Sequence, residues 1–138
     1  MTQHQIFIDE NLMPGLAPVL SKVYVRHKFV PAHTTSTLGL KDVELFEYLN
    51  TMQMDAIITL DQKQLEIADE RAGLKGAGLH WIGVPSVSGS GTQLLALLTA
   101  VVVSGMHEVL EHWAPTPHAY HLHGPTSIDI TAPRIEAL

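Results

Sequence analysis

Short apolar runs alternate along the chain with segments whose apolar residues recur every three or four positions. The runs Gln5–Ile8 and Asp55–Leu60 are short, mostly apolar and rich in β-branched residues. Continuous runs of this kind are typical of parallel strands that are buried on both faces. The pattern therefore predicts an α/β fold with a mostly parallel central sheet.

The remaining segments predict a strand, helix, strand, loop, helix, strand, helix, strand, long helix and two final strands. After the first strand, the predicted elements are a helix over 12–21, a strand over 23–25, a loop over 31–39, a helix from 41, the strand 55–60, a helix over 62–70, a strand over 79–84, and a long helix over 93–112 capped by Thr92.

Acidic residues stand where the two apolar runs stop. Asp9 follows the first run and Asp61 follows the second, while Asp42 opens a predicted helix. Parallel sheets bind ligands outside the carboxyl ends of their strands, so we expect Asp9 and Asp61 along one edge. Converging carboxylates repel one another unless a cation or a shared proton compensates. An acidic residue at a helix start usually only interacts favourably with the helix dipole, so position alone does not make Asp42 catalytic.

Composition limits the classes of protein that fit. The 138 residues, 46% hydrophobic and 16% charged, predict a single globular domain over 1–138. The absence of cysteine excludes disulfides and thiolate metal sites, and the start lacks the features of a secretory signal, so a cytoplasmic location is expected. The most apolar stretch, Leu94–Val103, is shorter than the roughly 20 residues of a membrane span. We expect it to be buried in the core or in a homodimer interface, with no membrane contact.

The net charge of the chain disfavours tight binding to a long nucleic-acid duplex. The net charge is −6, with eight Lys and Arg residues in total, so the chain carries no strong electrostatic footprint for a long duplex. A nuclease is still compatible with this charge, because bound cations invert the local potential of an acidic cleft.

The histidines suggest a zinc site as a competing hypothesis. The segment His107–His112 resembles a zinc-protease helix, but Glu111 stands where that motif needs its second histidine. His121 and His123 share a strand face and could bind zinc together with His118. The spacing does not pair the two groups, so exposed or hydrogen-bonded histidines are the default expectation.

Three segments together resemble the short PIN-like domains, which include toxin-type and uncharacterised PIN proteins. That family begins with an acid-tipped strand, carries a Gly-x-x-Asp before a helix, and has T-x-D-x-D-F after a later strand. The first half of this chain is similar to the family by motif, and the second half by element order. The matching segments are Phe7–Leu12 (FIDENL), Leu38–Leu45 (LGLKDVEL) and Ala56–Asp61 (AIITLD).

The resemblance implies a three-layer PIN-like fold and a metal-dependent ribonuclease, of the kind that can be the toxin of a toxin–antitoxin pair. Asp9, Asp42 and Asp61 would then be the catalytic residues and would hold Mg²⁺ or Mn²⁺, with Glu10 as a helper. Such a metal activates water and stabilises charge on the scissile phosphate. The implied partners are an RNA substrate and an antitoxin protein. The residues expected to contact the substrate are Asn11, Thr59 and Lys63.

The chain departs from the family pattern after Asp61. Lys63 and Gln64 stand where the second acid and the aromatic residue are expected. A lost acid reduces metal affinity, and the Lys63 ammonium could supply the missing positive charge internally. The alternative is therefore a degenerate PIN-like module that binds a partner protein or RNA without cleaving it.

A small phosphatase or receiver-like domain is a third hypothesis. Acids at strand tips also suit phosphoryl chemistry, in which Mg²⁺ neutralises charge. Such a domain needs a lysine and a threonine at later strand ends. Here Pro85 and Ser86 follow the fourth strand, which disfavours this class.

Overall fold

Five strands form one parallel sheet in this computed structural model, which describes residues 2–138. The sheet order is β2-β1-β3-β4-β5, and every neighbouring pair runs parallel. All the carboxyl ends therefore lie along one edge, and the prediction of a mostly parallel sheet is confirmed. The strands are β1 (Gln5–Ile8), β2 (Lys28–Pro31), β3 (Ala56–Thr59), β4 (His80–Gly83) and β5 (Ala119–His121).

Helices cover both faces of the sheet, so the fold is a three-layer α/β fold. Successive side chains of a strand point to opposite faces, which divides the core into two clusters. One cluster joins Ile6, Ile8 and Ile58 to α1 and α5, and the other joins Phe7 and Ile57 to α2 and α4. The helices are α1 (Leu16–Val23), α2 (Asp42–Thr51), α3 (Lys63–Glu66), α4 (Ala68–Gly76) and α5 (Gly91–Glu111), with 3-10 turns at Ala32–Thr34 and Ile128–Thr131.

The long helix α5 packs one face against the sheet. It is long and apolar enough to cross a membrane by length and composition alone. Val101, Val102 and Met106 are nevertheless fully covered within the core cluster, while Leu95 on the other side is half-exposed. The prediction that this segment is buried in the core is confirmed for that face.

The predicted strand over 23–25 is wrong. Helix α1 continues to Val23, and the Tyr24 N–H then bonds the carbonyl of Leu20 at 2.8 Å. The Tyr24 hydroxyl donates to the Val103 carbonyl of α5, so this residue belongs to the helical layer. The second strand is β2 instead, and its last residue, Pro31, is the first residue of the predicted loop over 31–39. A proline is tolerated there because β2 is an edge strand.

Three other predicted features differ from the structure. The helix expected over 62–70 is divided into α3 and α4 by Ile67, whose backbone is extended. In the part of the chain that the structure describes, one strand follows α5 rather than two. Thr92 lies inside α5, and Ser90 stands at the capping position without a side-chain hydrogen bond.

Candidate functional site at the carboxyl edge

Asp9 is the most enclosed acid at the carboxyl edge of the sheet. It follows β1 directly, and only 7% of its surface is exposed. The Glu10 N–H donates to its Oδ1 at 2.8 Å. Its Oδ2 accepts from the Thr59 hydroxyl at 2.7 Å and from the amides of Asn11 and Gln64, each at 3.4 Å. The carboxylate is therefore held in one orientation by four donors.

The pKa of Asp9 reflects this enclosure. Burial raises the pKa above its ordinary value, because it disfavours the charged form, and the nearby Asp42 charge raises it further. Hydrogen bonds from Thr59, Glu10 and Gln64 act in the opposite direction, because they stabilise the carboxylate. Burial is the largest of these effects.

Thr59 and Asn11 connect the tips of β1 and β3. The Thr59 hydroxyl donates to Asp9 and accepts from the Asn11 amide at 3.1 Å and from the Asp61 N–H at 3.0 Å. The Asn11 Oδ1 accepts from the Leu60 N–H at 3.2 Å. These contacts give both side chains a positioning role for the acids. Their predicted contact with substrate stays a prediction.

The three acids that the sequence singles out line one small cleft. Its volume is about 110 Å³, and Asp9, Asp42 and Asp61 all contribute to its wall, together with Glu10 and Asn11. Asp42 is at the start of α2, as predicted, and Asp61 follows β3. The Asp61 Oδ1 accepts from the Lys63 N–H at 2.9 Å, which closes the turn into α3. Strand ends and a helix start thus bring these residues to the wall of one cleft.

Glu70 on α4 is a further acid that interacts with Asp42 and Asp61, and the sequence analysis did not identify it. Its Oε2 is buried and accepts no hydrogen bond from an N–H or O–H donor among the described residues, while its carboxyl group lies close to that of Asp42. Burial, the interaction with Asp42 and the charge of Asp61 raise the pKa of Glu70 to about 7, while the charge of Lys63 lowers it. Glu70 therefore lies close enough to Asp42 and Asp61 for their charges to disfavour its own ionisation.

The donor set suits a hard cation, although the acids do not converge on one point. Within residues 2–138, no three Asp, Glu or His side chains lie close enough together to hold one ion in the arrangement described. Carboxylate and amide oxygens are the ligands that Mg²⁺ and Mn²⁺ prefer. Asp9, Asp42 and Asp61 place three carboxylates on the wall of one cleft, so the chemistry of the residues present fits the implied metal.

Two other predicted site residues lie at the rim. Glu10 and Lys63 are both exposed. No ion pair joins Lys63 to Asp61 among the described residues. The Gln64 amide, rather than the Lys63 ammonium, makes direct contact with the acids.

The histidines of the competing zinc hypothesis have other neighbours. The His121 ring packs edge-on against Trp81 at a centroid distance of 5.2 Å, and the His118 N–H donates to His80 Nδ1 at 2.9 Å. The described chain contains no group of three His, Asp or Glu that includes them and could hold an ion. His118 Nδ1 lies 2.7 Å from the Thr116 carbonyl, so His118 and His121 make the contacts of ordinary hydrogen-bonded or stacked histidines.

Comparisons of the chain with protein-family models, with curated proteins and with solved structures gave no match. The resemblance to PIN-like domains therefore depends on the sequence motifs alone. Any conclusion about function depends on the geometry of the cleft.

Proposed function

We propose that this protein is a metal-dependent ribonuclease of PIN-like type. The observation that carries the proposal is that Asp9, Asp42 and Asp61, which come from three separate segments, line one cleft at the carboxyl edge. Ligands of parallel α/β sheets bind at this edge. Mg²⁺ or Mn²⁺ held by these carboxylates would activate water and stabilise charge on the phosphate.

Hydrogen bonds within the chain orient Asp9 and hold the tips of β1 and β3 together. Thr59 and the Glu10 N–H hold the Asp9 carboxylate in one orientation. Asn11 ties the tips of β1 and β3 together, which fixes the separation between Asp9 and Asp61. These hydrogen bonds limit how far Asp9 and Asp61 can move when a cation binds.

Because the cleft is acidic, we expect an anionic substrate to bind only when a cation is bound there as well. The chain has a net charge of −6, so a phosphodiester would be repelled from the acids of the metal-free site. Bound cations reverse this repulsion. We propose RNA as the substrate, with an antitoxin protein as the partner that would control the activity.

A specific observation favours a second candidate, a PIN-like module that binds RNA or a partner protein without cleaving it. Lys63 and Gln64 occupy the positions where the family pattern has an acid and an aromatic residue. The Gln64 amide also contacts both Asp9 and Asp42, so the acids already have a partner without any metal.

Cleavage of a fluorescently labelled single-stranded RNA separates the two candidates. We expect the wild-type protein to cleave in Mn²⁺ and not in EDTA, and we expect Asp61→Asn to lose the activity. Asp69→Asn is the matched control, because Asp69 is an exposed acid on α4 outside the cleft wall. RNA binding without cleavage would support the second candidate. Equal cleavage by both variants would contradict a site at Asp61.

A further inference from the structure

Gln64 is a polar side chain enclosed at the centre of the acidic site. Only 1% of its surface is exposed, which is unusual for glutamine. It belongs to the single-turn helix α3 and follows the exposed Lys63. Its carboxamide lies between Asp9 at the end of β1 and Asp42 at the start of α2.

The nitrogen of this carboxamide has two hydrogen-bond partners, whereas its oxygen has none among the described residues. The Nε2 atom is 3.1 Å from Asp42 Oδ1 and 3.4 Å from Asp9 Oδ2, and an amide NH₂ group has two hydrogens to donate. The Oε1 atom is buried and has no partner in the described chain. Leaving an acceptor unsatisfied is unfavourable, so the contacts with the two carboxylates must outweigh that loss.

From this arrangement we infer that Gln64 takes the place of a cation in the metal-free protein. Its NH₂ group carries partial positive charge and bridges Asp9 and Asp42, which would otherwise repel each other across the cleft. The inference rests on the proposed cation site, because it treats Asp9 and Asp42 as the carboxylates that an ion would bind. The aromatic residue of the family pattern has no such donor group.

Two consequences follow for metal binding. The protein folds without metal, because Gln64 already compensates the two central acids. A cation that binds Asp9 and Asp42 must displace the amide from both, so Gln64 weakens metal binding. Gln64 is therefore a positioning residue that sets how strongly the site depends on a cation.

Thermal unfolding in EDTA and in Mn²⁺ tests this inference, with Gln64→Met as the main variant. Methionine keeps a similar size and loses both donors. In EDTA we expect Gln64→Met to lower the Tm by about 5 °C, and we expect saturating Mn²⁺ to raise its Tm by more than it raises that of the wild type. Gln62→Met is the matched control, because Gln62 is exposed and its amide contacts the Val84 carbonyl instead of an acid.

A second variant keeps the test decisive if Gln64→Met does not fold. Gln64→Glu has nearly the same shape, loses the donors at neutral pH and adds a carboxylate. We expect it to be less stable than the wild type in EDTA and to gain more from Mn²⁺ than the wild type does. The inference would be overturned if either folded Gln64 variant matched the wild type in EDTA, or if Mn²⁺ raised the Tm of variant and wild type equally.

This result can be distinguished from failure of the nuclease proposal. If the wild type never cleaves RNA but the Gln64 variants gain Mn²⁺-dependent stability, the role of Gln64 stands and the nuclease proposal falls. If the wild type cleaves RNA in Mn²⁺ and the Gln64 variants behave like Gln62→Met, the nuclease proposal stands and the role of Gln64 falls.

Discussion

The two edges of the sheet carry ionisable clusters with opposite characters. At the carboxyl edge, acids line a cleft and two buried oxygens have no partner in the described chain. At the amino edge, rings are stacked against one another. The His4 ring lies parallel to His27 at 5.2 Å and to Trp113 at 3.8 Å, and His80 meets Trp113 edge-on at 4.5 Å.

Three ring nitrogens of His27 and His80 at the amino edge have partners within the fold. His27 Nδ1 accepts from the His4 N–H at 3.1 Å. His80 Nδ1 accepts from the His118 N–H, and its Nε2 is 3.0 Å from the Ala114 carbonyl. Burial lowers the pKa of His4, His27 and His80. A cluster of ionisable residues is therefore not by itself a functional site. The carboxyl edge differs because Asp9, Asp42 and Asp61 line one cleft there.

The largest expected effect concerns catalysis at the carboxyl edge. Asp9→Asn should reduce Mn²⁺-dependent RNA cleavage by at least about 100-fold, because it removes a proposed ligand, whereas His80→Gln should leave cleavage by the folded protein unchanged. Single-turnover cleavage rates would be measured for both variants. Loss of cleavage in folded His80→Gln alone would reverse the roles assigned to the two edges.

Trp113→Ala should affect stability without affecting the site. It removes the stacking partner of His4 and the edge contact of His80, so we expect a loss of about 2 kcal/mol in the free energy of unfolding. Urea denaturation measures this loss, and the RNA cleavage rate of the folded variant should match the wild type. A stability equal to that of the wild type would show that the stack contributes little.

Lowering the pH should change the contributions of the two edges to the free energy of unfolding in opposite directions. The pKa of His80 is lowered from 6.5, so the unfolded chain binds protons first and stability falls as the pH drops through 6.5. The pKa of Glu70 is raised from 4.5 to about 7, so the folded protein binds its proton first and stability rises as the pH drops from about 7. Glu70→Gln removes the second effect.

Urea denaturation at about pH 7.5 and about pH 5.5 separates these contributions. We expect Glu70→Gln to lose more stability between the two pH values than the wild type, and His80→Gln to lose less. Identical pH dependence in the wild type and both variants would show that neither group titrates differently in the folded protein.

The strands at the centre of the sheet could be predicted because their sequences are governed by burial. β1 and β3 each have neighbours on both sides and helices on both faces, so their runs are apolar and end visibly at Asp9 and Asp61. Strand β2 could not be predicted in the same way. As an edge strand it buries only Phe29 and Val30, between Lys28 and Pro31.

The two site residues that sequence analysis missed depend on long-range packing. Gln64 occupies a position where the family pattern has an aromatic residue, and only the approach of β1 and α2 shows that its amide contacts acids. The sequence pattern predicts that Glu70 ends one helix over 62–70. The extended backbone of Ile67 starts a second helix, α4, whose first turn contains Glu70, and this helix brings Glu70 to the acids.

The smallest expected effect concerns Lys63. Its side chain is exposed and forms no ion pair among the described residues, so Lys63→Asp should tighten Mn²⁺ binding by less than about tenfold. Calorimetric titration of Mn²⁺ into both proteins measures the change. A larger gain would show that the ammonium occupies the site and that Gln64 is the lesser obstacle to metal binding.

A crystal of the wild-type protein soaked in Mn²⁺, with data collected at the manganese absorption edge, tests the central claim most directly. We predict one anomalous peak within coordination distance of carboxylate oxygens of Asp9, Asp42 and Asp61, with the Gln64 amide nitrogen moved away from Asp9 and Asp42. A peak at the histidines of the amino edge, or no peak at the carboxyl edge at millimolar Mn²⁺, would contradict the proposed site.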